Sequence, residues 1–129
     1  MTYPASYLEC CIDRESAPKV NKVIARDQLQ HSILLHVPDD VPVKYVSVYN
    51  IEQISPKYGK MFIKGPILIN YRPWIELNCK DLDSSIGYHV YKLQFVVHRT
   101  MDVFDCYFSY TVQDNNPEKP YLYMNREEI

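Results

Sequence analysis

The strongest pattern in the chain runs over residues 86–112, IGYHVYKLQFVVHRTMDVFDCYFSYTV. Apolar residues recur there at every second position, the period of two strands joined by a short turn. The first arm places Tyr91, Leu93, Phe95 and Val97 on one face. It leaves Tyr88, Val90, Lys92, Gln94 and Val96 on the other. The second arm places Phe104, Cys106, Phe108, Tyr110 and Val112 on one face, and Asp105, Tyr107, Ser109, Thr111 and Gln113 opposite. A loop of Arg99, Thr100, Met101 and Asp102, with His98 facing Val103, predicts the pairs Val97–Phe104, Phe95–Cys106, Leu93–Phe108 and Tyr91–Tyr110. A slip of one residue would turn a whole strand over, so the hairpin is expected to put one apolar face on the core.

The same period recurs elsewhere. Residues 7–13 alternate, with Leu8, Cys10 and Ile12 against Tyr7, Glu9, Cys11 and Asp13. Further strands are predicted at 32–37, 44–51, 60–64, 67–71 and 74–79. The turns between them are Pro38-Asp39-Asp40, Ser55-Pro56-Lys57-Tyr58-Gly59 and Gly65-Pro66. Pro66 suits a bulge or an edge, because proline donates nothing to a ladder. Residues 14–31 are polar and without clean period; a short helix over 21–30 and an extended arm are equal expectations. The total is about eight strands at roughly ten-residue spacing with little helix. That predicts one all-β domain over 1–129, an antiparallel β-sandwich, immunoglobulin-like or jelly-roll-like. An arm at 14–31 and a polar tail at 115–129 are expected to leave it.

Composition narrows the chemistry. The chain has 129 residues, 47% hydrophobic and 23% charged, which suits a folded domain rather than a disordered one. Lys plus Arg number 14 and Asp plus Glu 16, with both signs scattered. Nucleic-acid binding would need a basic stripe, so none is expected. No apolar run approaches the length of a membrane helix, and MTYPASYLECC lacks the basic-then-apolar order of a secretory signal. Twelve tyrosines favour pleated, half-buried surfaces. Only three glycines, Gly59, Gly65 and Gly87, exclude phosphate-cradling loops that need several close together.

Asp83-Ser84-Ser85-Ile86-Gly87-Tyr88, opening an alternating strand, resembles the turn before the penultimate strand of immunoglobulin-like sandwiches. The likeness covers about 30 residues. The Trp and Cys arrangement of true immunoglobulin domains is absent, since Trp74 sits just before Cys79. A final hairpin opened by Gly-Tyr and followed by a polar tail is also similar to small accessory domains of phage virions. That likeness implies a non-enzymatic assembly role.

Candidate chemistry is thin. Cys10, Cys11, Cys79 and Cys106 lack the C-x-x-C spacing of a zinc or redox site and read as core thiols of a reducing compartment. His31, His36, His89 and His98 show no pair aimed at one ion. The acidic stretches 39–40 and 81–85 lack the spaced acids and glycine of a calcium loop, and turn capping accounts for them. No nucleophile elbow appears. Neither enzyme activity nor a cofactor is expected.

Aromatics carry the functional expectation. Tyr45, Tyr49, Tyr58, Tyr71, Trp74, Tyr88 and Tyr107 are candidates to lie off the core, and Tyr121 and Tyr123 flank the tail near Pro120. The expected interface residues are Trp74, Tyr107, Tyr121 and Tyr123, acting through protein partners, by self-association or in a larger assembly. A virion component such as a capsid decoration, head-fibre or tail protein, assembled in the cytoplasm, fits best. The alternative is a carbohydrate-binding module with Trp74 and tyrosines as glycan platforms.

Overall fold

The computed structural model describes residues 7–40, 46–56, 61–62, 67–69 and 72–114. The chain is mostly β, in two sheets. The strands are β1 Tyr7–Glu9, β2 Lys22–Ala25, β3 Ser32–His36, β4 Val46–Ser55, β5 Met61–Phe62, β6 Ile67–Ile69, β7 Trp74–Asn78, β8 Gly87–Val97 and β9 Val103–Gln113. Short 3-10 turns span Arg14–Val20, Arg26–Gln28 and Cys79–Asp81. The small sheet has the order β1-β3-β7; the large one has the order β2-β9-β8-β4-β5, with β6 also on β4.

Both sheets contribute to one apolar core. Leu8, Leu35, Ile75 and Leu77 come from the small sheet; Val48, Ile51, Tyr91, Leu93, Phe95, Cys106, Phe108 and Tyr110 come from the large one. Tyr91 stacks on Phe108 with centroids 5.0 Å apart, and Phe95 on Phe104 at 5.3 Å.

The central hairpin keeps its expected faces but not its expected register. Phe95 faces Phe104, Leu93 faces Cys106, Tyr91 faces Phe108 and His89 faces Tyr110, two residues from the expected alignment. A shift of two preserves which side chains point inward, so the alternating pattern cannot separate the two registers. The turn does. Met101 takes φ 61°, and its N–H donates to the Val97 carbonyl at 2.7 Å while Val97 N–H donates to Asp102 at 2.9 Å. The loop is therefore His98 to Met101, closed one residue earlier on each side.

Three further expectations are corrected. The sheets are not purely antiparallel: β1 runs parallel to β3, and β2 parallel to β9. Residues 14–31 are not a projecting arm. β2 extends the large sheet, Ala17 is 1% exposed, and Ser109 Oγ donates to the Ala17 carbonyl at 2.7 Å. Proline at 18 cannot continue an α-helix, so 14–20 forms a 3-10 turn that packs with Val90. Ile12 does not share the buried face of Leu8 and Cys10. The chain changes sheets there: Cys10 N–H donates to His36 of the small sheet, and Cys11 exchanges both backbone hydrogen bonds, each 2.8 Å, with Tyr107 of the large one. Cys11 is buried and Ile12 is 43% exposed.

In β4 the register against β8 shifts between Val48 and Asn50 and again between Gln53 and Ser55. The first shift lets Val48 and Ile51 both reach the core. Residues 57–60, 63–66 and 70–71, where a turn, the Gly65-Pro66 break and a strand end were expected, lie outside the described residues. So does the expected tail, 115–129.

Gly87 opens β8 at φ +131°, a conformation closed to L side chains although no atom within 4 Å would meet a Cβ there. Gly87→Ala is expected to lower unfolding free energy by about 1–3 kcal/mol through backbone strain. Phe108→Ala, which empties the centre of the core, is expected to cost about 3–5 kcal/mol. Urea unfolding midpoints measure both.

Candidate functional site

Three strands of the small sheet bring one row of side chains to the face away from the shared core, with Tyr7, Glu9 and Trp74 half-buried and His36 buried. Glu9 is paired with His36, and His36 with Trp74. Leu8, Leu35, Ile75 and Leu77 alternate inward and hold this row outward. His36 Nδ1 donates to Glu9 Oε2 at 2.7 Å, which fixes the imidazole edge-on to the carboxylate. The His36 and Trp74 rings lie 4.7 Å apart at 54°. Tyr7, two residues before Glu9, meets Trp74 edge-on at 5.4 Å and 84°. Lys22 Nζ, from the edge of the large sheet, stands 5.0 Å over the Tyr7 ring, a cation–π contact.

A second polar group is buried under the stretch joining β7 to β8. Asp83 Oδ1 accepts from Ser85 N–H at 2.9 Å and from Ser85 Oγ at 2.7 Å, the turn-capping role expected of this stretch. Asp83 Oδ2 accepts from Gln53 Nε2 at 2.9 Å. His89 is 1% exposed and stands between two partners. Its Nε2 donates to the Ser85 carbonyl at 2.7 Å, so Nδ1 accepts from Gln53 Nε2 at 3.1 Å. The Tyr91 hydroxyl accepts from Asp83 N–H at 2.7 Å and donates to Gln53 Oε1 at 3.4 Å. Tyr110 donates its hydroxyl to the Asp83 carbonyl at 2.8 Å. The groups satisfy one another, as burial of so many polar atoms requires.

Burial opposes the Asp83 charge, but the hydrogen bonds from Ser85 and Gln53, with His89 nearby, outweigh it and hold the carboxyl below its ordinary value. Burial, with Tyr91 beside it, pushes the Tyr110 hydroxyl upward. Burial also raises the thiols: Cys11 to about 11, Cys106 to about 12, and Cys10 well above its usual range. A thiol held protonated is a poor nucleophile and a poor metal ligand.

The structure separates the interface residues expected from sequence. Trp74 stands on the small sheet's outer face. Tyr107 lies on the other sheet, half-buried with Cys11, Ala17 and Val90. Tyr121 and Tyr123, like Tyr45, Tyr58 and Tyr71, lie outside the described residues. Sequence reasoning missed Tyr7, Glu9 and His36 as neighbours of Trp74. The alternation in 7–13 did place Tyr7 and Glu9 together; no local signal brings β3 and β7 to them. Gln53 and His89 were missed for the same reason.

Among the described residues no helix is long and apolar enough to cross a membrane, and no group of three or more His, Cys, Asp or Glu side chains is placed to hold a metal ion. Comparison with protein-family models, curated proteins and solved structures finds nothing that matches this chain.

Tyr91→Phe leaves the Asp83 N–H and Gln53 Oε1 without their partner and is expected to destabilise by about 1–3 kcal/mol in denaturant unfolding. Asp83 has its folded pKa below its unfolded one. Its contribution is therefore complete above the unfolded carboxylate value, about pH 4, and is lost as pH falls through the folded value. Asp83→Asn is expected to flatten the acid side of the stability–pH curve, read from unfolding midpoints between about pH 2 and pH 6.

Proposed function

We propose that the chain is a non-enzymatic structural module, an immunoglobulin-like β-sandwich that works through protein–protein contacts in a larger assembly. A virion accessory part, in a capsid decoration, head fibre or tail, is the setting we favour. Two sheets around one core support the sandwich reading. So does the Tyr91 hydroxyl bonded back to Asp83 N–H, since a tyrosine near the start of the penultimate strand that ties to upstream backbone marks the immunoglobulin-like corner. The observation that carries the function is the outer face of Tyr7, Glu9, His36 and Trp74. Half-buried aromatic rings beside an ordered carboxylate–imidazole pair, flanked by β1 and β7, the outer strands of the small sheet among the described residues, are the kind of anchor protein interfaces use. The mutual satisfaction of the buried polar groups and the raised thiols favour a structural role over a catalytic one.

The same rings support a second reading, a carbohydrate-binding module with Trp74 as a stacking platform and Glu9 as a hydroxyl acceptor.

Light scattering after size exclusion tests the first reading. The full chain is expected to run above its 15.3 kDa monomer mass, and Trp74→Ala to return it to monomer. A monomer in both forms at all concentrations contradicts self-assembly. A glycan array then decides the rival: saturable binding lost in Trp74→Ala would establish it.

A further inference from the structure

His36 stands at the middle of the row on the small sheet, paired in register with Glu9 on one side and Trp74 on the other. Its Nδ1 donates to Glu9 Oε2 at 2.7 Å. A neutral ring held in this way keeps its lone pair at Nε2, so Nε2 is the atom that a second proton takes. The ring centroid lies 4.7 Å from that of Trp74 and 6.2 Å from that of Tyr7. The first distance is within the range of about 6 Å over which a cation is drawn to an aromatic ring.

Few charged groups surround this ring among the described residues. β1 brings the half-buried Glu9 carboxylate and the Tyr7 phenol. β7 brings Glu76 beside Leu34, two residues along the sheet, where its Oε2 accepts from Ser32 Oγ at 3.1 Å. β2 brings Lys22, whose Nζ stands 5.0 Å over the Tyr7 ring. Arg72, just before β7, is exposed. Among the described residues Glu9 has no ion-pair partner other than His36. The proton count on His36 therefore decides whether the pair carries one negative charge or none.

That difference bears on what the face can touch. A carboxylate without a counter-charge is costly to take out of water, and a neutralised, hydrogen-bonded pair costs less. In a two-fold contact the same patch meets itself, so two copies bring two Glu9 carboxylates together while His36 is neutral. We propose that His36 is a proton-operated switch on this face: a proton taken up at Nε2 cancels the Glu9 charge, sets a cation against Trp74, and favours burial of the face against a second copy of the chain. The second copy is the partner that the assembly reading supplies, and the inference rests on that reading for its partner. The switch itself rests on the Glu9–His36–Trp74 geometry alone.

Trp74 is the single tryptophan, so its emission reports on this site. A protonated imidazole in ring contact quenches indole emission. The full-length chain is expected to lose emission with one midpoint as pH falls from about 8 to about 5, the range in which histidine side chains change charge. The His36 imidazole resonances in NMR are expected to share that midpoint. His36→Gln keeps an N–H for Glu9 but takes up no proton, and is expected to abolish the change while His31, His89 and His98 stay in place. Glu9→Gln is expected to move the midpoint about one pH unit lower, since the carboxylate that favours the cation is gone. Light scattering on the same samples is expected to show association strengthening about fivefold or more over this range in the native chain, and no pH dependence in His36→Gln. Constant emission in the native chain, an equal change in His36→Gln, or separate midpoints for His36 and Trp74 would overturn the switch. Emission that titrates while association stays constant would overturn its link to assembly. A monomer at every pH would overturn the assembly reading and that link together, and the emission and NMR midpoints would still decide the switch.

Discussion

Between Gly87 and Gln113 two strands of 11 residues each lie side by side, and every second residue of both points into the same core. Tyr91, Leu93, Phe95, Cys106, Phe108 and Tyr110 are at most 1% exposed. The other elements are placed by what they bring to this double row. β4 carries Val48, Ile51 and Gln53 to one flank, and reaches all three only because its register shifts. β2 closes the other flank through Ile24. The small sheet covers the row with Leu8, Leu35, Ile75 and Leu77. At the end of the row nearest Gly87 the inward residues become polar, and the stretch before β8 is held there by side chains rather than by strand pairing.

That polar end explains how Asp83 is buried in an otherwise partly exposed loop of Asp and Ser. Asp83 supplies a backbone N–H, a carbonyl and both carboxylate oxygens, and each meets a partner on β4, β8, β9 or its own turn. The tyrosines serve both networks: their rings stack in the apolar row and their hydroxyls end in the polar one. Removing one hydroxyl therefore leaves packing intact while orphaning buried groups, whereas removing one ring damages both.

Much of the fold was legible because one face of each long strand is buried and period two then identifies it. The inward residues of β7, β8 and β9 follow from alternation alone. Register did not follow, since shifts of two leave the pattern unchanged and the left-handed conformation of Met101 has no strong local signature. Parallel pairing of β1 and β2 was hidden for a related reason: these strands have three and four residues, too short to declare their partners. The outer face was half-legible. Trp74 stood out as the single tryptophan, but its neighbours His36 and Glu9 come from strands whose adjacency is decided only by tertiary packing. Residues 14–31 read as an arm because their polarity is real, yet Ala17 and Ile24 suffice to anchor them.

A polar network welds the stretch before β8 to the central hairpin, and native-state hydrogen exchange measured by NMR tests that weld most directly. The amides of Asp83, which donates to Tyr91, and Ser85, which donates to Asp83, are expected to exchange only through global unfolding, with the same protection as Leu93 and Phe108. Exchange of Asp83 and Ser85 at the rates of the exposed hairpin loop, while Leu93 and Phe108 stay protected, would contradict it.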